Sequence, residues 1–279
     1  MKAHGSSGTA LVTGASSGIG KELARLAAAD GYDLILVARR QERLETLARE
    51  ISVTHGVSAR VIARDLADPA TPKQIFEELE RERTAVDVLV NNAGLGIYGR
   101  FWKTDLSRQL EVIQVNMVAL TELTGLLLPG MVSRKRGRIV NIASTAAFQP
   151  GPYMAVYYAT KAYVLSFSEA IAEELPETGV TVTAVCPGPT ITEFQEAAGI
   201  EDTWLFRGPL VMDAAKVARA GWTGAKRGKR VVIPGLGNKL IKETVRFSPR
   251  RLVTAAAGRV QKKRGGKPSA SSPAGRGRT

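Results

Sequence analysis

Seven short runs of β-branched and other apolar residues limit how this chain can fold: TALVT (9–13), DLILVA (33–38), SARVIA (58–63), VDVLVN (86–91), GRIVNIA (137–143), VTVTAV (180–185) and RVVIPG (230–235). Between them lie longer stretches whose apolar residues recur at helical spacing. Strands apolar on both faces, and separated by helices rather than tight turns, belong in a parallel sheet covered on both sides. The expected architecture is α/β, a three-layer doubly wound parallel sheet of about seven strands in a single domain, with ligands taken up at the carboxyl ends of the strands. A chain of 279 residues with 44% apolar content can build a core of that size.

The first strand runs directly into a glycine-rich turn and a helix, LVTGASSGIGKELARLAAADG (11–31). In such a unit Gly14 permits the turn, Gly18 lets the backbone approach a pyrophosphate, and Gly20 lets the helix pack against the strand. The helix N-terminus offers its unpaired N–H groups to the anion. The phosphate loop of nucleoside triphosphatases would need glycine at position 15 and Ser or Thr at 22, where this chain has Ala15 and Glu22. The dinucleotide-binding (Rossmann) reading therefore holds.

In MAVYYATKAYV (154–164) two tyrosines are followed by Lys161. Residues three and four apart share a helix face, so either Tyr157 or Tyr158 can sit beside that lysine. A fixed cation lowers the pKa of a phenol from its usual ~10. Spacing does not choose between the two tyrosines, and a buried helix with one snorkelling lysine fits this stretch equally well.

The ordered set TGASSGIG (13–20), NNAG (91–94), Asn116, Ser144, Tyr157 and Lys161 in a YxxxK pattern, and PGPTIT (187–192) resembles the short-chain dehydrogenase/reductase family over roughly residues 9–235. The resemblance implies that Tyr157 is the proton donor and Tyr158 a packing residue. It implies that Ser144, thirteen residues earlier, hydrogen-bonds the substrate oxygen. Lys161 would lower the pKa of Tyr157 and bind the nicotinamide ribose, and Asn116 would position a water linking Lys161 to solvent. For the cofactor it implies Gly14, Ser16, Ser17, Gly18, Ile19 and Gly20 at the pyrophosphate. Asp65 and Leu66 would flank the adenine, with Asn91, Ala93 and Gly94 on the adenosine side. Pro187, Gly188, Thr190 and Thr192 would hold the nicotinamide end. The activity implied is hydride transfer between a nicotinamide and a carbonyl or alcohol; a cofactor-binding sensor or scaffold without turnover is the alternative. Helices beginning near Lys103 and Tyr153 resemble the family's dimer-forming pair, so a homodimer or homotetramer is expected.

An acid at the carboxyl end of the second strand would hold the ribose 2′-hydroxyl of NAD, whereas a 2′-phosphate needs cations. The only acid in that strand, Asp33, opens it at the wrong end, and the far end reads Ala38, Arg39, Arg40. Arg39 can make a bidentate, charge-assisted contact with a phosphate, so NADP(H) is expected over NAD(H).

A net charge of +13 at first suggests nucleic acid, but its distribution does not. Residues 225–279 hold 16 Lys/Arg against the single acid Glu243, and the rest hold 23 against 25. The body is neutral and the C-terminal end basic. The expected organisation is a flexible N-terminus (1–8), the catalytic domain (9–235), basic amphipathic helices (236–262) and a disordered basic tail (263–279). In the helical segment Leu236, Leu240, Ile241 and Val245 share one face, and Leu252, Val253, Ala256 and Val260 share another after the cap Ser248-Pro249. These helices read either as packed on the domain or a second subunit with solvated charge outside, or as an anchor on an anionic membrane surface. Nucleic acid is the less favoured partner.

Cys186 is the only cysteine, which excludes an internal disulfide and points to a reducing, cytoplasmic setting, with the membrane periphery as a variant of it. MKAHGSSG has no apolar stretch of a secretory signal, and VALTELTGLLLPGMV (118–132) is shorter than a span of about 20 residues. His4 and His55 are far apart and Cys186 has no partner, so no metal site is expected. A serine-hydrolase reading of Ser144 fails for lack of a nucleophile elbow around it. The loops carry Tyr98, Phe101, Trp102, Phe148, Phe194, Trp204 and Phe206, which suggests an apolar small-molecule carbonyl or alcohol as substrate.

Overall fold

A computed structural model describes residues 7–206, 208 and 210–262; the expected tail at 263–279 and most of the expected flexible N-terminus lie outside them. All seven apolar runs form strands: β1 (Thr9–Thr13), β2 (Asp33–Ala38), β3 (Ala59–Ala63), β4 (Val88–Asn91), β5 (Gly137–Ile142), β6 (Val180–Val185) and the short β9 (Val231–Val232). Two further short strands, β7 (Thr190–Ile191) and β8 (Met212–Asp213), pair with each other apart from the main sheet. The main sheet is parallel throughout, in the order β3-β2-β1-β4-β5-β6-β9. The winding direction reverses between β1 and β4, which opens a crevice at their carboxyl ends.

The period-2 alternation of each strand feeds two cores. Ala10 and Val12 of β1, with Leu34 and Leu36 of β2, pack under α1 (Gly18–Ala29), α2 (Gln41–His55) and α8 (Ala214–Lys226). Leu11, Ile35 and Val37 face the other way, against α3 (Thr71–Arg81), α5 (Leu120–Ser133) and α6 (Ala155–Glu174). Stripes such as Leu23, Ala24, Ala27 and Ala28 on α1 explain why these segments are helical: each repeats at the helix period and is fully covered.

Helix α4 (Leu106–Ile113) continues through a π-helical turn, Gln114–Ala119, into α5 without a break. The joined helix, Leu106–Ser133, has the length and composition of a membrane span, which the shorter apolar run read from the sequence did not. It nevertheless buries Leu120, Leu123, Leu127 and Met131 in the protein. After β7 come α7 (Phe194–Ala198) and a 3₁₀ turn at Trp204–Phe206. Beyond the sheet lie α9 (Leu236–Phe247) and α10 (Arg250–Gln261), where the amphipathic pattern placed them.

Candidate active site

A cavity of about 640 Å³ lies at the carboxyl ends of the strands. It is built from the segment that follows each strand: the glycine-rich turn after β1, Arg39 and Arg40 after β2, Asp65 after β3, Gly94 after β4, Ser144 after β5 and Pro187–Thr192 after β6.

At one end the turn 14–17 leads into α1. Gly14 and Gly18 adopt φ of +64° and +54°, the left-handed region that favours glycine. An added Cβ at Gly18 would come within 2.9 Å of Thr192 Cγ2, so only glycine allows the turn to lie this close to the segment after β6. Gly20 has no room for a Cβ against Asn92 and the Gly14 carbonyl, in keeping with its expected packing role; it does not line the cavity. Asn92 fixes the turn by donating from Nδ2 to the carbonyls of Thr13 (2.9 Å) and Gly14 (3.2 Å). Thr13 Oγ1 in turn accepts from the backbone N–H groups of Asn92 and Ala93, both at 3.0 Å.

Successive residues of a strand point to opposite faces, so Asn91 and Asn92 part company. Asn91 is 4% exposed and donates to Asn141 Oδ1 (2.9 Å) and Thr124 Oγ1 (3.1 Å) in the sheet's interior. It does not line the cavity, which corrects its placement on the adenosine side. Asn92, passed over in the sequence, takes the turn-holding position.

Arg39 reaches Asp65 at 3.7 Å, both side chains being largely exposed. Arg40, not singled out from the sequence, lies across the turn: its Nη2 donates to Ser16 Oγ (3.0 Å) and Ser17 Oγ (3.1 Å), and its Nη1 to Glu193 Oε2 (2.5 Å). Arg43 also pairs with Glu193, and hydrogen bonds from these arginines hold that carboxyl below the usual range. The adjacent ARR triplet was the available signal for Arg40. Asp65 also caps its own loop, accepting from Ala67 N–H at 2.9 Å, and Leu66 is 6% exposed between the cavity and the core.

At the other end α6 brings Tyr157 and Lys161 onto one face, one turn apart, with Lys161 Nζ 5.7 Å from the Tyr157 ring centre. Ser144, two residues past the end of β5, lies beside the Tyr157 phenol, its Oγ accepting from Ala146 N–H at 3.1 Å. The end of β5 and one face of α6 thus meet at these three residues. Lys161 is only 5% exposed, and among the described residues its ammonium makes one hydrogen bond, donated to the Ile142 carbonyl at 2.8 Å. Burial pulls its pKa down to about 8. Tyr157 departs from expectation: burial pushes its phenol up to about 12, and the neighbouring Ser144 hydroxyl only partly offsets this. Desolvation of the phenolate is the largest cause at this depth of burial.

Asn116 sits in the π-helical turn and is 1% exposed. Its Oδ1 accepts from Leu95 N–H (2.8 Å), and its two amide protons go to the Leu95 carbonyl (2.9 Å) and Thr160 Oγ1 (3.0 Å). Thr160 in turn donates to the Tyr157 carbonyl at 2.7 Å. The side chain thus clamps the loop after β4 onto α6, and its amide has no proton left for a relay water. Thr190 donates to the Gly188 carbonyl (2.9 Å) and, with Thr192 and Pro187, lines the cavity.

Next to Tyr157 the wall is apolar. Ala146, Met154, Tyr158, Ala198 and Ile200 are buried together, with Phe194 and Phe206 packed on them, and the Phe194 ring lies 5.3 Å from that of Tyr157. Of the seven loop aromatics only these two line the cavity, while Phe101, Trp102 and Trp204 are exposed. Tyr158 both packs here and accepts a hydrogen bond from Gln261 of α10, a contact between distant segments that no local pattern announces.

The residues fit a nicotinamide dinucleotide. The turn offers bare backbone at a helix N-terminus, and Lys161 is a buried ammonium with two donors not taken up by described residues. Comparison with known proteins agrees. The short chain dehydrogenase family model matches residues 8–202. A very-long-chain 3-oxoacyl-CoA reductase of Phaeosphaeria nodorum is 40% identical over 195 residues, covering 66% of this chain and 56% of that protein. The ketoacyl reductase HetN of Nostoc is 36% identical over 180 residues, covering 64% of this chain and 62% of that protein. This chain thus spans little more than half the length of the curated relatives it matches. A short-chain dehydrogenase from Sphingobium yanoikuyae, solved in complex with NADPH, superposes with a TM-score of 0.76 at 34% identity, covering 88% of this chain and 97% of that one. Fold, ordered motifs and relatives converge: the chain belongs to the short-chain dehydrogenase family.

Proposed function

We propose that this protein is an NADP(H)-dependent reductase of apolar carbonyl compounds, with 3-oxoacyl thioesters as the substrate class. The observation that carries the reading is the apolar wall of Met154, Ala198, Ile200, Phe194 and Phe206 set directly against the Tyr157 phenol. A long acyl chain suits such a wall, and the printed names of the P. nodorum and Nostoc relatives point the same way.

When bound, the dinucleotide supplies or takes up the hydride. The protein's part is to hold the carbonyl and manage its proton. Ser144 donates a hydrogen bond to the substrate oxygen, where negative charge gathers during reduction. Tyr157 then delivers its proton to that oxygen. A phenol held near 12 is protonated at neutral pH and so can serve as the acid in the reductive step. Lys161 stabilises the phenolate left behind and offers its remaining donors to the nicotinamide ribose. Asn116, through Leu95 and Thr160, is a positioning residue that fixes the loop after β4 against the helix bearing Tyr157. At the other end Ser16, Ser17, Gly18 and Ile19 receive the pyrophosphate. Arg39 and Arg40 pair with a 2′-phosphate, Arg40 exchanging its contact with Glu193 for the ligand.

Leu106, Leu110 and Val118 expose apolar surface along the helix that begins after Lys103, which supports assembly into a homodimer or homotetramer. A strictly monomeric sedimentation profile would contradict that. The single, buried Cys186 supports a reducing cytoplasmic setting.

The test is NADPH oxidation with 3-oxoacyl thioesters of increasing chain length beside aliphatic, aromatic and steroid-like ketones. The expected result is kcat/KM rising with acyl length, and NADPH preferred over NADH. Turnover of ketones without any acyl thioester would overturn the substrate class. An Arg39→Asp variant with unchanged NADPH/NADH preference would overturn the cofactor choice.

A further inference from the structure

The least balanced surface of the molecule lies outside the cavity, on α9 and α10. An amphipathic helix of a globular protein normally hides its apolar stripe. Here Leu236 is 83% exposed, Leu240 70%, Phe247 82% and Leu252 67%, and α9 buries only Asn238. Residues 236–262 carry seven Lys/Arg against the single acid Glu243. Arg250, Arg251, Arg259 and Lys262 line an open groove of about 550 Å³ between α10 and Pro152-Tyr153. None of these four has an ion-pair partner among the described residues.

Three occupants are conceivable for such a face. A second copy of the chain would cover the leucines but press two strongly cationic surfaces together, and the chain before residue 225, with 23 Lys/Arg against 25 Asp/Glu, has no acidic excess to compensate. Nucleic acid would use the cations and leave the leucines in water. An anionic bilayer uses both: apolar side chains enter the boundary between headgroups and acyl chains, and cations rest on lipid phosphates.

We propose that α9 and α10 form a docking platform for an anionic phospholipid membrane, with Leu236, Leu240, Phe247 and Leu252 inserted and the cations of α10 seated on headgroups. The platform is fixed to the rim of the cavity at both helices. Asn238 of α9 fills the space beside Gly188 and donates to the Pro234 carbonyl at 2.9 Å. Gln261 of α10, 2% exposed, donates to Tyr158, the residue after Tyr157, and α10 also packs on the turn Trp204–Phe206. If the acyl-substrate reading holds, the platform lets a long chain pass from the bilayer to the cavity with little exposure to water. The docking itself does not depend on that reading.

The experiment is flotation of the full chain with vesicles of phosphatidylglycerol and phosphatidylcholine, and with vesicles of phosphatidylcholine alone. Binding is expected to the first, weakening as salt rises, and not to the second. An L240E/F247E variant should bind at least about thirtyfold more weakly, and an R251E/R259E variant about twentyfold more weakly. NADPH titration should be unchanged in both, which certifies their folding. Four results would overturn the proposal: no attachment of the native chain to phosphatidylglycerol vesicles; equal attachment to neutral vesicles; variants that float like the native protein; or a lipid-free oligomer that dissociates in L240E/F247E, which would assign the face to a second copy. RNA binding that survives L240E/F247E, in a chain that does not float, would assign it to nucleic acid. Because these readouts involve no turnover, failure of the substrate reading leaves them intact.

Discussion

The two ends of the cavity work by opposite physics. Around Lys161 and Tyr157 the protein acts by taking charge away from water: an ammonium at 5% exposure is pulled down to about 8 and a phenol is pushed up to about 12. Around Arg39, Arg40, Asp65 and Glu193 the charges stay about half exposed, Arg39 paired with Asp65 and Arg40 with Glu193. Desolvation fixes protonation states whatever the ionic strength, whereas exposed pairs are screened and exchange readily. The first arrangement suits proton transfer and the second suits recognition of a charged ligand that must enter and leave.

The largest expected effect is at the buried end. Tyr157→Phe should lower carbonyl reduction by about 10³-fold or more while leaving NADPH binding, followed by fluorescence titration, nearly intact. If Tyr158→Phe were the more damaging change, the roles assigned along α6 would be reversed.

Lys161→Met should cost about 10²-fold in kcat and change the pH profile. Lys161 loses its proton as pH rises through about 8, while Tyr157 keeps its own until about 12, so native reductive activity should fall on the alkaline side of 8. The variant should lack that limb. Between about 8 and 9 the unfolded chain binds a proton at Lys161 that the folded chain does not, so stability should rise with pH across that window, until the Cys186 thiol, pushed up from 9.0 to about 12 by burial, opposes the rise above 9. Denaturant midpoints should show the rise in the native chain and a flatter curve in the variant.

At the exposed end, Arg40→Ala should raise KM for NADPH about tenfold, with kcat little changed. That difference should shrink in high salt, whereas the Tyr157→Phe defect should not. A salt-insensitive Arg40 effect would break the contrast between the two ends. The smallest effect is expected from Thr160→Val, which removes the link between Asn116 and the Tyr157 carbonyl and should lower stability by about 1 kcal/mol, read from the unfolding midpoint.

The placement of the seven strands was legible because each is a continuous apolar run, and their parallel pairing because helical stretches intervene. Gly14, Gly18, Ser144, Tyr157 and Lys161 were legible through ordered motifs, and the structure gathers them around one cavity. Arg40 was half legible, since ARR showed that a cation would end β2 but not which arginine would cross the turn. The motif names two adjacent asparagines, and the sequence did not show that Asn91 faces the sheet's interior while Asn92 holds the turn. The C-terminal stripe was legible as amphipathic, but amphipathicity does not say whether a face is covered; here it is exposed.

By itself, then, the sequence determined the elements, their parallel pairing and the candidate reacting groups, because periodicity and motif spacing are local properties of a chain. Only the tertiary structure decided the phenol's protonation, the division of labour between Asn91 and Asn92, and the seating of Gln261 on Tyr158. Those depend on how much water is excluded around each group and on which remote segment excludes it, and neither quantity exists until the chain has packed.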